Sequence, residues 1–138
     1  MLEKSNETIN QIADKTETFG VEIDSNLKNN YKTWQANHPN GIVAYRVNFN
    51  QYNTPEEAAA GRIGNPFSET NREANTVEQF YNWLVNGENY GESKATEAYR
   101  WAIINKILQS PEGTPILYYK ELDRPSHATV IGYLINNK

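Results

Sequence analysis

The sequence predicts an α/β fold in which a parallel or mixed sheet is covered by helices. Short apolar segments typical of strands alternate with segments whose apolar residues recur at helical spacing. Their order along the chain is β-α-β-loop-α-α-β-α, and such alternation favours parallel strands joined by helical connections. At 138 residues the chain is long enough for one domain with its own core. We expect residues 1–40 to form an accessory segment and residues 41–138 to form the α/β domain.

The composition excludes several classes of function. The net charge of −4 argues against a protein that binds nucleic acids generally through the phosphate backbone, because such proteins present a basic surface. The lack of cysteine excludes disulfides, thiolate zinc sites and cysteine nucleophiles, and two histidines cannot form a histidine-rich metal site. No apolar run is long enough to cross a membrane, and the first residues do not resemble a signal peptide. We therefore expect a cytoplasmic protein.

The first forty residues contain one predicted strand and one predicted helix. Alternating apolar residues over 19–23 predict a short strand. A helix should follow, capped by Asp24 or Ser25 and ended before Pro39. The segment holds too few apolar residues for a core of its own, so it should pack on the rest of the chain or on a second copy. Its apolar residues are Phe19, Val21, Ile23, Leu27, Tyr31 and Trp34.

The middle of the chain contains a clear strand and two helices. The run from Ile42 to Phe49 is rich in β-branched and aromatic residues and predicts a buried strand. A one-turn helix is predicted over 55–59. The pair Thr76 and Gln79 has the spacing of a capping box, which predicts the start of a longer helix that ends at Gly87.

The last third should contain a helix, a strand and a final helix. The spacing predicts a helix from Lys94 to Gln109 with two apolar faces, one of which carries Trp101, Ile104 and Leu108. A buried strand follows over 115–119. Ser126 should cap the last helix. The inward-facing residues of that helix are predicted to be Val130, Ile131, Leu134 and Ile135.

The loop over 61–68, Gly-Arg-Ile-Gly-Asn-Pro-Phe-Ser, is the first candidate site. Gly61 and Gly64 permit a sharp turn that can present backbone N–H groups to a ligand, and Pro66 stiffens it. Arg62 adds a planar guanidinium suited to phosphate or carboxylate. The alternative is a tight connector in which Phe67 fills the core and Arg62 is solvated. Composition alone favours the connector, because Gly/Pro clusters mostly mark turns.

The segment over 118–127 is the second candidate site. It joins the end of a predicted strand to the N-terminus of a helix, where unpaired N–H groups and the helix dipole favour anions. Lys120 and Arg124 could neutralise a phosphate, and the dipole should keep His127 neutral. The alternative is a capped helix with solvated charges, which Ser126 already explains. If the two preceding strands are neighbours, both candidate segments lie at one edge of the sheet.

Both segments resemble a family of small phage and bacterial domains of unknown function. Its members carry a Gly-Arg…Gly-Asn-Pro-Phe loop, a Thr-x-x-x-x-Phe/Tyr-x-x-Trp-Leu helix, and a strand followed by a Pro/Cys-x-His turn into a helix. The match covers about residues 42–138. The matching residues here are Gly61-Arg62 with Gly64-Asn65-Pro66-Phe67, then Thr76 with Tyr81-Asn82-Trp83-Leu84, then 116–135 around Ser126-His127.

The resemblance implies an α/β fold of a Rossmann-like kind and a nucleotide-type ligand. Many family members are cysteine-rich near the end, where this chain has Tyr118, Tyr119 and Lys120, so no thiol or metal role is carried over. The ligand-binding residues predicted from the two segments and the resemblance are Arg62, Gly64, Asn65, Phe67, Ser68, Tyr119, Lys120, Arg124, Ser126 and His127.

Three functions from different classes remain open. The first is binding of a nucleotide-like or ADP-ribose-like anionic ligand, by a phage-encoded factor that acts on host signalling, host defence or nucleotide pools. The second is an enzyme that acts on a nucleotide or its glycosidic bond and uses His127 with a carboxylate. The third is an interaction module whose aromatic residues serve a homo-oligomer or a host protein. The dinucleotide fingerprint, the P-loop and the nucleophile elbow are missing from the sequence, and no cofactor is expected.

Overall fold

The computed structural model describes residues 20–23, 31–44, 54–67, 74–87, 96–119 and 127–137. Within these residues the chain forms three strands and five helices. The strands are β1 (Gly20–Ile23), β2 (Ile42–Ala44) and β3 (Ile116–Tyr119). The helices are α1 (Tyr31–Asn37), α2 (Pro55–Ala59), α3 (Ala74–Asn86), α4 (Glu97–Gln109) and α5 (His127–Asn136). The protein is therefore of the mixed helix and sheet class that the alternating pattern predicts.

The three strands are parallel and lie in the order β1-β3-β2. Val43 of β2 and Val21 of β1 both pair with Leu117 of the central strand β3. Beside β2, the N–H of Val43 donates to the carbonyl of Gly61 at 2.6 Å, and the N–H of Ile63 donates to the carbonyl of Val43 at 2.8 Å. Residues 61–63 thus run alongside β2 and parallel to it, on the sheet edge that β2 forms.

The first forty residues contribute to the same sheet. Strand β1 is hydrogen-bonded to β3, and α1 packs against β2. The strand expected over 19–23 and the helix end expected before Pro39 agree with β1 and α1. The expected capping residues Asp24 and Ser25 lie outside the described residues. The expected strand at Ile42–Phe49 is described as far as Ala44.

Helix α5 is buried among the described elements of the chain. It contacts β3 on one side and helices α3 and α4 on others. Every residue from His127 to Ile135 is buried. The sequence predicted one inward face, and its four residues are buried as expected. The remaining residues of the helix are buried as well, because α5 is covered by both the sheet and the outer helices.

Helix α3 begins before the predicted capping box. Its first residue is Ala74, which makes Thr76 the third residue of the helix, so the capping box predicted from Thr76 and Gln79 is wrong as a helix start. The predicted end is confirmed. Gly87 has φ +75° and donates its N–H to the carbonyl of Trp83 at 2.8 Å, a geometry that favours glycine after a helix.

Helix α4 starts at Glu97 and is capped by Thr96, whose hydroxyl accepts from the N–H of Tyr99 at 3.2 Å. The sequence predicted packing on two apolar faces, and this is only partly right. Ile104 is buried, but Trp101 is 40% exposed and Leu108 is 43% exposed. The contacts of α4 with α2, α3 and α5 bury one broad side of the helix and leave these two side chains partly open to solvent.

The short helix α2 agrees with the predicted one-turn helix and carries a capping box that the sequence analysis missed. The hydroxyl of Thr54 accepts from the N–H of Glu57, and the Glu57 carboxylate accepts from the N–H of Thr54. This helix leads directly into the glycine loop. None of the helices formed by the described residues has both the length and the apolar character needed to span a membrane.

Candidate functional site at the carboxyl edge of the sheet

The glycine loop reaches the edge of the sheet at which the parallel strands end. Arg62 is bridged to Val43, and Val43 pairs with Leu117, so these three residues lie at one level across the sheet. Gly64 lies two residues beyond Arg62, and Tyr119, the last residue of β3, lies two residues beyond Leu117. The loop and the end of β3 therefore both reach the carboxyl edge, with β2 between them, and ligands bind at this edge in open α/β sheets.

His127 joins the second candidate segment to this loop. It is the first residue of α5 and is 1% exposed. Its Nε2 lies 2.8 Å from the carbonyl oxygen of Ile63. A carbonyl can only accept a hydrogen bond, so Nε2 carries the hydrogen. The ring of Phe80 lies edge-on to the imidazole with centroids 5.5 Å apart.

The strands that precede the two segments are neighbours, as the shared-edge hypothesis requires. The hydrogen bond between His127 and Ile63 brings together residues that are 64 positions apart in the chain. The site described by the structure thus consists of residues 61–67 and the N-terminus of α5. The ligand-binding role assigned to these residues stays a prediction.

Several backbone donors of the loop, including those of Gly61, Arg62 and Ile63, are used inside the protein. The N–H groups of Gly61 and Arg62 donate to the carbonyls of Ala58 and Glu57 at 2.9 and 2.8 Å, which extends the end of α2. The N–H of Ile63 donates to β2 at 2.8 Å. The sequence predicted that such groups would be offered to a ligand. Because the loop is buried, these groups instead have internal partners, as buried backbone groups require.

Tyr99 on α4 holds the backbone of Gly64 on both sides and was not predicted as a site residue from the sequence. Its hydroxyl accepts from the N–H of Gly64 at 2.8 Å and donates to the carbonyl of Gly64 at 2.7 Å. Tyr99 is 2% exposed, and the centroid of its ring lies 6.0 Å from that of the Trp83 ring. A tyrosine on the apolar face of a helix indicates a buried hydroxyl that needs a partner. The sequence gives no sign that this partner is Gly64.

Asn65 and Phe67 face the interior. Asn65 is 1% exposed, and its Oδ1 accepts from the N–H of Phe67 at 2.9 Å, which closes a side-chain turn around Pro66. Phe67 is 4% exposed, and its ring meets Trp83 edge-on with centroids 5.9 Å apart. These contacts give the Asn-Pro-Phe part of the loop a structural role. Arg62 is more exposed than either of these side chains.

The backbone of Arg62 is paired with that of Val43, and the Arg62 side chain is half-buried. Its Cζ lies 5.9 Å from the ring centre of Tyr31, the first residue of α1. This distance falls within the range of a cation–π contact. Nearby, Nε2 of Gln35 donates to the carbonyl of Ala60 at 2.8 Å and ties α1 to the start of the loop. The guanidinium is thus held against α1 rather than projecting into solvent.

The remaining predicted site residues fall outside what the structure describes. Ser68, Lys120, Arg124 and Ser126 lie outside the described residues, and for Tyr119 the structure gives the backbone position at the end of β3. Among the side chains that are described, no three His, Asp or Glu groups gather to hold a metal ion.

Comparison of the chain with protein-family models, with curated proteins and with solved structures finds no match. The resemblance to small phage and bacterial domains therefore stays a prediction. The function has to be argued from the geometry at the carboxyl edge.

Proposed function

We propose that the protein binds a small anionic ligand of the nucleotide or ADP-ribose kind at the carboxyl edge of a Rossmann-like sheet. The hydrogen bond between His127 and the carbonyl of Ile63 carries this proposal. It joins the loop that runs beside β2 to the helix that follows β3, at the edge where parallel α/β sheets receive ligands.

The electrostatics of this edge suit an anion. Helix α5 has ten residues and begins at the edge, so the positive end of its dipole lies there. Arg62 adds a formal positive charge that is half-buried beside Tyr31. A tyrosine ring and a guanidinium side by side also suit a ligand that pairs an aromatic base with an anionic group.

The rigidity of the loop supports tight binding. Hydrogen bonds from α2, β2, Tyr99 and His127 hold residues 61–64 from four directions. A loop that is ordered before the ligand arrives loses little conformational entropy on binding. The phage-like resemblance extends the proposal to a factor that acts on host signalling, host defence or nucleotide pools in the host cytoplasm.

The geometry does not favour the enzyme alternative. That hypothesis assigns proton transfer to His127, whose Nε2–H is directed to the carbonyl of Ile63 in a buried position. A histidine held in this way is suited to positioning the loop, because its donor is committed to the backbone.

The interaction module remains a second candidate, and one observation favours it. Trp101 and Leu108 lie two turns apart on α4 with 40% and 43% of their surface exposed. Large apolar side chains on a helix surface are typical of protein interfaces. Substituting both by glutamine should leave ligand binding at the sheet edge unchanged. Loss of self-association or of a protein partner in that variant would support the module.

Calorimetry with the purified protein tests the proposed function. We expect at least one member of a panel of mono-, di- and cyclic nucleotides and ADP-ribose to bind. Arg62→Ala should weaken that binding by about tenfold to a hundredfold, the equivalent of one charge-assisted contact. Lys32→Ala, which removes an exposed charge next to Tyr31, is the matched control and should bind almost normally. The proposal is overturned if no member of the panel binds, or if both variants lose affinity equally.

A further inference from the structure

We infer that Tyr99 is a positioning residue of the ligand site: its hydroxyl fixes the backbone of Gly64 and thereby arranges the glycine loop before a ligand binds. The inference rests on the proposed function and adds to it a residue that acts through the loop rather than by touching the ligand. The two hydrogen bonds between the Tyr99 hydroxyl and Gly64 carry it.

Gly64 joins two parts of the loop that are held by other contacts. On one side, the carbonyl of Ile63 accepts a hydrogen bond from Nε2 of His127 at 2.8 Å. On the other side, Oδ1 of Asn65 accepts from the N–H of Phe67 at 2.9 Å. The backbone of a glycine can adopt more conformations than that of any other residue. An unrestrained Gly64 would therefore let the two parts of the loop move relative to each other.

The Tyr99 hydroxyl restrains both backbone groups of Gly64. It accepts from the Gly64 N–H at 2.8 Å and donates to the Gly64 carbonyl at 2.7 Å. The tyrosine is itself held in place, because its N–H donates to the Thr96 hydroxyl at 3.2 Å and its ring packs beside that of Trp83. Since Tyr99 is 2% exposed, it acts on the loop from the interior. A side chain fixed in this way keeps a binding loop in one geometry.

Removal of the hydroxyl should weaken ligand binding. A loop that is ordered before the ligand arrives binds more tightly than one that the ligand has to order, because ordering costs conformational entropy. Without the hydroxyl, the cost of ordering Gly64 would fall on the binding step. Ordering the backbone of one residue corresponds to about fivefold to thirtyfold in affinity. Tyr99→Phe, which keeps the ring, should raise the Kd by this factor.

Calorimetry of the full chain with the panel of nucleotides and ADP-ribose tests the inference. Arg100→Met is the matched control, because Arg100 is the next residue of α4 and donates to the carbonyls of Trp83 and Leu84 at the end of α3. We expect this variant to lose stability but to bind each ligand within about twofold of the wild-type Kd. Measurements well below the lowest melting temperature of the three proteins keep all of them folded. The comparison separates positioning of the loop from a general loss of stability.

The possible outcomes distinguish the inference from the proposed function. If Tyr99→Phe binds as tightly as the wild type, the inference is overturned and ligand binding stands. If both variants lose affinity equally, the inference is also overturned, because affinity would then follow stability. If the wild type binds no member of the panel, the proposed function fails and Tyr99 has no role in binding these ligands.

Amide hydrogen exchange tests the arrangement of the loop even if Tyr99→Phe does not fold. In the wild-type protein without ligand, the Gly64 amide should already exchange slowly. In a folded Tyr99→Phe variant, Gly64 should lose more protection than Ile131 in the middle of α5. Rapid exchange of Gly64 in the free wild type, with protection only after a ligand is added, would show that the ligand orders the loop. The inference would then be wrong.

Discussion

Arg100 on α4 donates from Nε to the backbone carbonyls of Trp83 at 2.8 Å and Leu84 at 3.0 Å. These carbonyls lie in the last turn of α3, and that of Trp83 also accepts from the N–H of Gly87 just after the helix. Arg100 is 6% exposed, and its guanidinium carbon lies 5.2 Å from the ring centre of Trp101. A buried positive charge thus caps the C-terminus of one helix from the next, where the helix dipole favours a cation.

Arg100→Met should destabilise the protein by about 1.5–3 kcal/mol, because the variant keeps the apolar stem but leaves the end carbonyls of α3 without their charged donor. Urea denaturation followed by circular dichroism measures the change. Glu97→Gln is the control, because it removes the other charge near Arg100. Nη1 of Arg100 lies 3.4 Å from Oε2 of Glu97, and the Glu97 side chain is 66% exposed. The control should cost about 0.5 kcal/mol or less. Equal losses in the two variants would contradict the capping role.

Tyr99→Phe should destabilise the protein by about 1–3 kcal/mol, because it removes the hydroxyl that satisfies both the N–H and the carbonyl of the buried residue Gly64. Thermal and urea unfolding measure the change. Tyr99→Leu removes the ring contact with Trp83 as well and should be less stable than Tyr99→Phe. A phenylalanine variant as stable as the wild type would show that the hydroxyl contributes nothing at this position.

Gly61→Ala should destabilise the protein by more than Gly113→Ala. Both glycines have positive φ, +90° and +84°, so each alanine carries a backbone strain of about 1 kcal/mol or more. A Cβ on Gly61 would also lie 2.8 Å from the carbonyl oxygen of Gly41, whereas a Cβ on Gly113 would meet nothing within 4 Å. Melting temperatures of the two variants give the comparison. Equal melting temperatures would mean that the close approach of Gly61 to Gly41 is relaxed easily.

Removal of residues 1–39 should destabilise the protein or change its oligomeric state. The deletion takes away β1, which pairs with β3, and α1, which packs on β2 and places Tyr31 beside Arg62. The central strand β3 would then become an edge strand with unpaired backbone groups. Calorimetric melting and size-exclusion chromatography measure both effects. An unchanged melting temperature and elution volume would show that these residues contribute neither to the stability nor to the oligomeric state of the protein.

Local sequence signals explain the parts of the fold that the sequence predicted well. Pro55 and the residues around it define α2, and a glycine after Asn86 ends α3. The apolar run before Tyr119 gives β3. Each of these features depends on interactions within a few residues, such as a cap, a φ value or an alternation of side chains. Where a competing local signal existed, as at Thr76, the prediction of the helix start was wrong.

The contacts that build the candidate site could not be predicted in this way. The Tyr99–Gly64 hydrogen bonds join residues 35 positions apart, and the His127–Ile63 bond joins residues 64 positions apart. A sequence pattern gives the type of a side chain and the face of its helix, but not which distant backbone group will meet it. The exposure of Trp101 and Leu108 was unpredictable for the same reason, since helical spacing cannot tell a packed apolar face from an open one.

By itself, the sequence determined that this protein has alternating strands and helices, a glycine loop after a short helix and a C-terminal helix that begins near His127. Only the tertiary structure decided that the loop lies beside β2, that several of its N–H groups have internal partners and that His127 holds the carbonyl of Ile63. The physical reason is that local conformation depends on neighbouring residues, whereas hydrogen-bond partners in a core are set by which elements pack together. Burial then makes those partnerships obligatory, because an unpaired polar group away from water is too costly to keep.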